Sequence, residues 1–81
     1  MKHQKQNGLK EIKTKYNLIS KFALAQYEFE KILGFKKAIK LTLEEKQKVC
    51  GYKCLSKYSN SKIKCLLKNL RHLYIHLNKG V

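Results

Sequence analysis

Apolar residues recur along this chain at three- and four-residue steps, the spacing of one face of an α-helix, and nowhere alternate long enough to make a strand. Within residues 9–33 the positions Leu9, Ile12, Tyr16, Ile19, Phe22, Ala23, Phe29 and Leu33 define such a face. Lys10, Lys13, Lys21 and Lys31 lie opposite, so an amphipathic helix of about 20–25 residues is predicted. Gly34 follows where a left-handed residue closes a helix. Residues 1–8 have no periodicity and read as a mobile basic arm ending at Gly8. Residues 35–41 (FKKAIKL) read as a short basic connector. Thr42-Leu43-Glu44-Glu45 then has the spacing of a capping box, in which Thr42 accepts from a first-turn amide and Glu45 reaches back. A second helix is predicted from residue 43 to about 55, weakened by Gly51 inside it. Residues 56–61 (SKYSNS) are a loop by composition. Residues 62–78 return to helical spacing, with Ile63, Leu66, Leu67, Leu70, Tyr74 and Leu77 on one stripe, and Gly80 is placed to close that helix. The predicted fold is all-α with extended loops: a long N-terminal amphipathic helix, a shorter second helix and a C-terminal helix, in one small domain over residues 9–81.

Charge changes this picture. Nineteen Lys+Arg stand against five Asp+Glu, a formal charge of +14 over 81 residues. A merely solubilising surface mixes the two signs. This imbalance points to a polyanionic partner, and its self-repulsion predicts a chain that is non-globular when isolated and becomes ordered on that partner. Every basic residue except Arg71 is lysine. Lysine is a compact point charge without the fork of arginine, so it suits sequence-blind phosphate neutralisation better than base reading. Pro, Trp and Asp are absent while Lys, Ile, Asn and Tyr abound, the skew of an A/T-driven genome such as many organellar ones. No apolar run approaches the ~18–20 residues of a membrane span. Nor does an apolar stretch follow the basic start, as a secretory signal requires.

Little else suggests chemistry. Cys50, Cys54 and Cys65 with His72 or His76 would formally complete a zinc set. There is no second close pair, however, and cysteines also serve as small apolar side chains, so no metal or other cofactor is expected. No nucleophile elbow, phosphate-cradling glycine loop or working carboxylate pair is present, so no enzyme activity is expected. Residues 52–71 are richer: Lys53, Lys57, Lys62, Lys64, Lys68 and Arg71 are interleaved with Tyr52, Tyr58 and the polar cluster Ser59-Asn60-Ser61. Lysines neutralise phosphates, hydroxyls and amides bond to phosphate or 2′-hydroxyl oxygens, and tyrosines offer faces to unstacked bases. These residues form the first candidate nucleic-acid-binding group; Lys10, Lys13, Lys15 and Lys21 form the second.

The order of the segments resembles the S-fourteen family of small-subunit ribosomal proteins, in its mitochondrial, zinc-free form. Residues 19–33 resemble that family's basic N-terminal helix, and residues 41–48 the stretch leading into its second helix. Leu55-Ser56-Lys57 followed by residues 58–65 (YSNSKIKC) resembles its Leu-Ser-Lys passage, with Asn60 and Ser61 as the Asn-Ser turn, Lys62 and Lys64 as basic positions, and Cys65 as the cysteine. The likeness covers about residues 15–68. The family's Thr-Gly-Arg loop and its Ser-Trp ending are missing here; where the family implies extended chain, periodicity predicts a helix. The resemblance implies a constituent of the mitochondrial small ribosomal subunit that contacts small-subunit ribosomal RNA and neighbouring proteins in the head. Composition alone leaves another class open: a small basic amphipathic protein on DNA or an anionic membrane surface, outside any ribosome.

Overall fold

A computed structural model describes the backbone of residues 2–79 and the side chains of residues 9–79. Three helices, α1 (Lys2–Leu33), α2 (Phe35–Val49) and α3 (Asn60–Lys79), carry the chain, with one 3₁₀ turn, Leu55–Lys57, ahead of α3. Among the described residues there is no strand, and the all-α architecture with a long first helix and a shorter second stands. From Lys2 onward the segment predicted as an arm belongs to α1, because one interior glycine, Gly8, costs a helix only about 1 kcal/mol.

The buried stripe of α1 is Leu18, Phe22 and Phe29, with Ala25 and Leu33 packed beside it. The expected stripe mixes two faces. Phe22, Phe29 and Leu33 point inward, whereas Leu9, Ile12 and Tyr16 are 59%, 53% and 67% exposed. At about 100° per residue, Leu9, Ile12, Tyr16 and Ala23 lie roughly 120–180° round the helix from Leu18. A second apolar face therefore looks outward from α1.

Gly34 alone separates α1 from α2. Its amide donates to the Glu30 carbonyl at 2.9 Å and its own carbonyl accepts from Ala38 at 3.0 Å, with φ at +89°. The predicted connector is thus helix, and Thr42 is no cap. It is completely buried inside α2, donating to the Ala38 carbonyl at 2.9 Å and accepting from Gln26 Nε2 of α1 at 2.8 Å. A helical threonine can return its hydroxyl to the carbonyl four residues back, which frees it from capping duty. Ala38 and Thr42, one turn apart and both fully buried, are small enough to bring α2 close to α1. Glu45 pairs instead with Lys48 at 3.6 Å.

The second helix ends at Val49, six residues before its predicted limit. Gly51, at φ +146°, turns the chain while its amide donates to the Lys46 carbonyl at 3.1 Å. A methyl group there would meet Tyr58 Oη at 2.6 Å. Gly51→Ala combines that clash with a backbone unfavourable to any side chain, so a loss of about 1–3 kcal/mol is expected. Hydrogen exchange should show it first at the Lys53 amide, which donates to Tyr58 Oη at 2.8 Å.

The Gln26–Thr42 contact sets α2 antiparallel to α1. Contacts of Asn60 with Glu11, and of Tyr74 with Glu28, set α3 parallel to α1. Ile63, Leu66 and Leu70 close the core from α3, and Leu55 of the 3₁₀ turn joins it. The radius of gyration is 14.4 Å, against about 12 Å for a compact chain of this length and about 28 Å unfolded. The expectation of a non-globular chain with extended loops is corrected accordingly. The inward faces of the three helices cover one another, and the loops shrink to Gly34 and residues 50–59. The molecule is nonetheless long, 52 × 23 × 17 Å, because α1 alone is about 48 Å at 1.5 Å per residue. The helix predicted for residues 62–78 is present as α3; Gly80, its expected terminator, lies outside the described residues.

Candidate nucleic-acid interface

The chain around residues 50–59 is organised by Tyr58. Its hydroxyl accepts from the Lys53 amide, and the Lys62 ammonium lies 5.8 Å from its ring centroid. Lys57 immediately precedes Tyr58 at the end of the 3₁₀ turn, and Lys53, Lys57 and Lys62 are all exposed. Tyr52 is 84% exposed nearby in sequence.

The polar cluster has a different local task from the one expected. Ser59 caps α3: its hydroxyl accepts from the Lys62 amide at 3.3 Å and its carbonyl accepts from Ile63 at 3.2 Å. Asn60 donates through Nδ2 to the Glu11 carbonyl at 3.3 Å, which ties the start of α3 to α1. Lys15 is half-buried and donates to the Ser56 carbonyl at 3.2 Å. Ser61 remains exposed. Together with Glu11 and Ile12 these residues line a groove of about 560 Å³. Asn60 Oδ1 is buried with no partner.

A second groove, again about 560 Å³, runs between α1 and α3 on a side to which α2 contributes nothing. Lys64, Lys68 and Arg71 recur at i, i+4 and i+7 on α3 and so share one face. The parallel packing sets Lys21 of α1 opposite them. The floor is apolar and includes Leu18, Leu24 and Leu67. Glu28 is its one acid, already held by Lys31 at 3.5 Å and by the Tyr74 hydroxyl at 3.4 Å. Among the described residues none of the four cations pairs with an acid. Lys10 and Lys13 are exposed on α1 and line neither groove. Leu24 and Tyr74 are the site residues that sequence reasoning missed. Leu24 lies off the predicted stripe of α1, and Tyr74 belongs to the apolar stripe of α3. Only the register of α1 against α3 reveals them.

Neither α2 nor α3 has an acidic residue in its first turn. Both carry lysines there instead, Lys36 and Lys37 in α2 and Lys62 in α3. Positive charge at a helix N-terminus opposes the macrodipole, typically by 0.3–1 kcal/mol per charge, about the gain an anion would bring there. The fold therefore carries an unfavourable electrostatic interaction at these helix starts that negative charge placed there would relieve.

All three cysteines are free, and among the described residues no three His, Cys, Asp or Glu side chains gather as a metal ion would need. Burial pushes the Cys50 thiol above its ordinary value, and Lys62 and Lys46 only partly oppose this. The unfolded chain then loses the Cys50 proton first as pH rises. Cys50 contributes stability that is intact below the ordinary thiol value and lost as pH climbs through the folded one. Mass spectrometry after brief alkylation at mildly alkaline pH should find Cys54 and Cys65, both exposed, modified before Cys50. Equal rates would show that the packing round Cys50 is not as described.

No protein-family model, curated protein or solved structure matches this chain.

Proposed function

We propose that this chain is a structural constituent of the mitochondrial small ribosomal subunit, binding and stabilising small-subunit ribosomal RNA in the head region by cancelling phosphate charge. The observation that carries this reading is the basic opening of α2 and α3, which sets lysines against the helix dipole with no acid to relieve them. A phosphate backbone supplies the missing negative charge at several points together. The unpaired cations of the α1–α3 groove and the exposed Lys53, Lys57 and Lys62 agree with the same partner, as does the resemblance of the segment order to the S-fourteen family. The outward apolar face of α1, Leu9, Ile12 and Tyr16, suits contact with a neighbouring small-subunit protein. No helix among the described residues is long and apolar enough to cross a membrane.

Sedimentation of an organelle lysate through a gradient at moderate salt tests the proposal. The chain is expected to travel with small-subunit RNA. Recovery with nucleoid DNA or with membranes, and none in the subunit fraction, would replace it with a role outside the ribosome.

A further inference from the structure

We infer that the groove between α1 and α3 receives an unstacked RNA base, with the flanking phosphates held by Lys21, Lys64, Lys68 and Arg71. This rests on the RNA-binding reading above and adds a site for a particular chemical group. Phosphate neutralisation alone needs only lysines on a convex surface, as on α2. Here the cations rim a concave apolar floor, and its volume falls within the about 300–1,000 Å³ of small-ligand clefts.

Three features favour a planar base over other apolar groups. Leu24 lines the groove yet is 63% exposed, an aliphatic side chain left in water that a stacked base would cover. Tyr74 lines the groove with its ring fixed, edge-on to Phe29 at 5.8 Å and 84°, and its hydroxyl anchored on Glu28. Base stacking on such rings is tolerant of sequence. The third is Arg71, the single arginine among nineteen basic residues. A guanidinium stacks on bases and forks onto phosphate oxygens, which an ammonium cannot do. The one place where this chain departs from lysine is the wall of its apolar groove. Along α3 the three cations span about 10.5 Å at 1.5 Å per residue, enough to follow a backbone on either side of one inserted nucleotide.

The test compares binding of the full chain to a labelled single-stranded uridine oligomer and to the same strand with abasic riboses at alternate positions. Phosphate count is identical in the two. Anisotropy at fixed moderate salt should show the abasic strand binding about tenfold more weakly, equivalent to about 1.4 kcal/mol. Leu24→Ala and Arg71→Lys, both at exposed positions and expected to leave the helical circular dichroism unchanged, should each weaken the intact strand several-fold and erase its advantage. Equal affinity for both strands, with a steep salt dependence retained, overturns base insertion while leaving charge-driven RNA binding intact. Failure of both strands to bind removes the RNA reading and the inference with it. Phosphatidylglycerol vesicles are the remaining arm. If the two variants weaken vesicle binding and leave both RNA strands alike, the groove takes a lipid and the inference is wrong.

Discussion

Phe29→Ala is expected to remove most of the folded state. Its side chain is 1% exposed, on the α1 face that meets α3, with its ring against the edge of Tyr74. Truncating a buried phenylalanine costs about 3–5 kcal/mol, through lost transfer energy and the cavity left behind. A chain of this size has roughly 4–12 kcal/mol in total at 0.05–0.15 per residue. One substitution thus takes between about a quarter and all of it. Self-repulsion among nineteen cations places this protein toward the lower end. Thermal denaturation followed by circular dichroism should lose its cooperative transition or shift it far down. Leu24→Ala, exposed on the same helix, should stay within about 0.5 kcal/mol of the parent. A Phe29→Ala protein melting near the parent temperature would mean that α1 and α3 do not pack in parallel through this ring.

How much of this was legible beforehand depends on what each helix buries. Ile63, Leu66 and Leu70 are large aliphatics at i, i+3 and i+7, so α3 announced both its existence and its inward face. In α2 the fully buried residues are Ala38 and Thr42. A small apolar residue and a hydroxyl give no hydrophobic periodicity, and residues 35–41 therefore passed for a connector. Thr42 followed by glutamates fitted a capping box, but the same hydroxyl serves equally inside a helix once Gln26 stands opposite. In α1 the difficulty is reversed, since two apolar faces overlap in one sequence and spacing alone cannot say which is covered. Cations near the start of α3 were visible as a cluster. Their meeting with Lys21, more than forty residues earlier, depends on the parallel register, which the Asn60–Glu11 contact fixes and no local pattern encodes.

If the proposed ribosomal role holds, Lys57→Glu, Lys62→Glu and Lys64→Glu together should abolish incorporation into the small subunit without unfolding the protein. All three side chains are exposed, so no core contact is lost. In the first turn of α3, a glutamate at 62 would exchange an unfavourable interaction with the dipole for a favourable one, each about 0.3–1 kcal/mol, whereas position 64 lies past that turn. Loss of the Lys62–Tyr58 cation–π contact costs about 0.5–1 kcal/mol at an exposed site. The two effects nearly cancel or favour the variant, and the melting temperature should hold or rise. RNA binding moves the other way. Each exchange changes the charge by two, taking the chain from +14 to +8 (14 − 6). Three lost phosphate contacts should lower the slope of log affinity against log salt by about 2–3 units, before the new repulsions are counted. A variant that folds as well as the parent yet no longer sediments with small-subunit RNA would separate these lysines' role in binding from any role in folding. Unchanged incorporation, with an unchanged salt slope, would place the RNA on another face or remove it as the partner altogether.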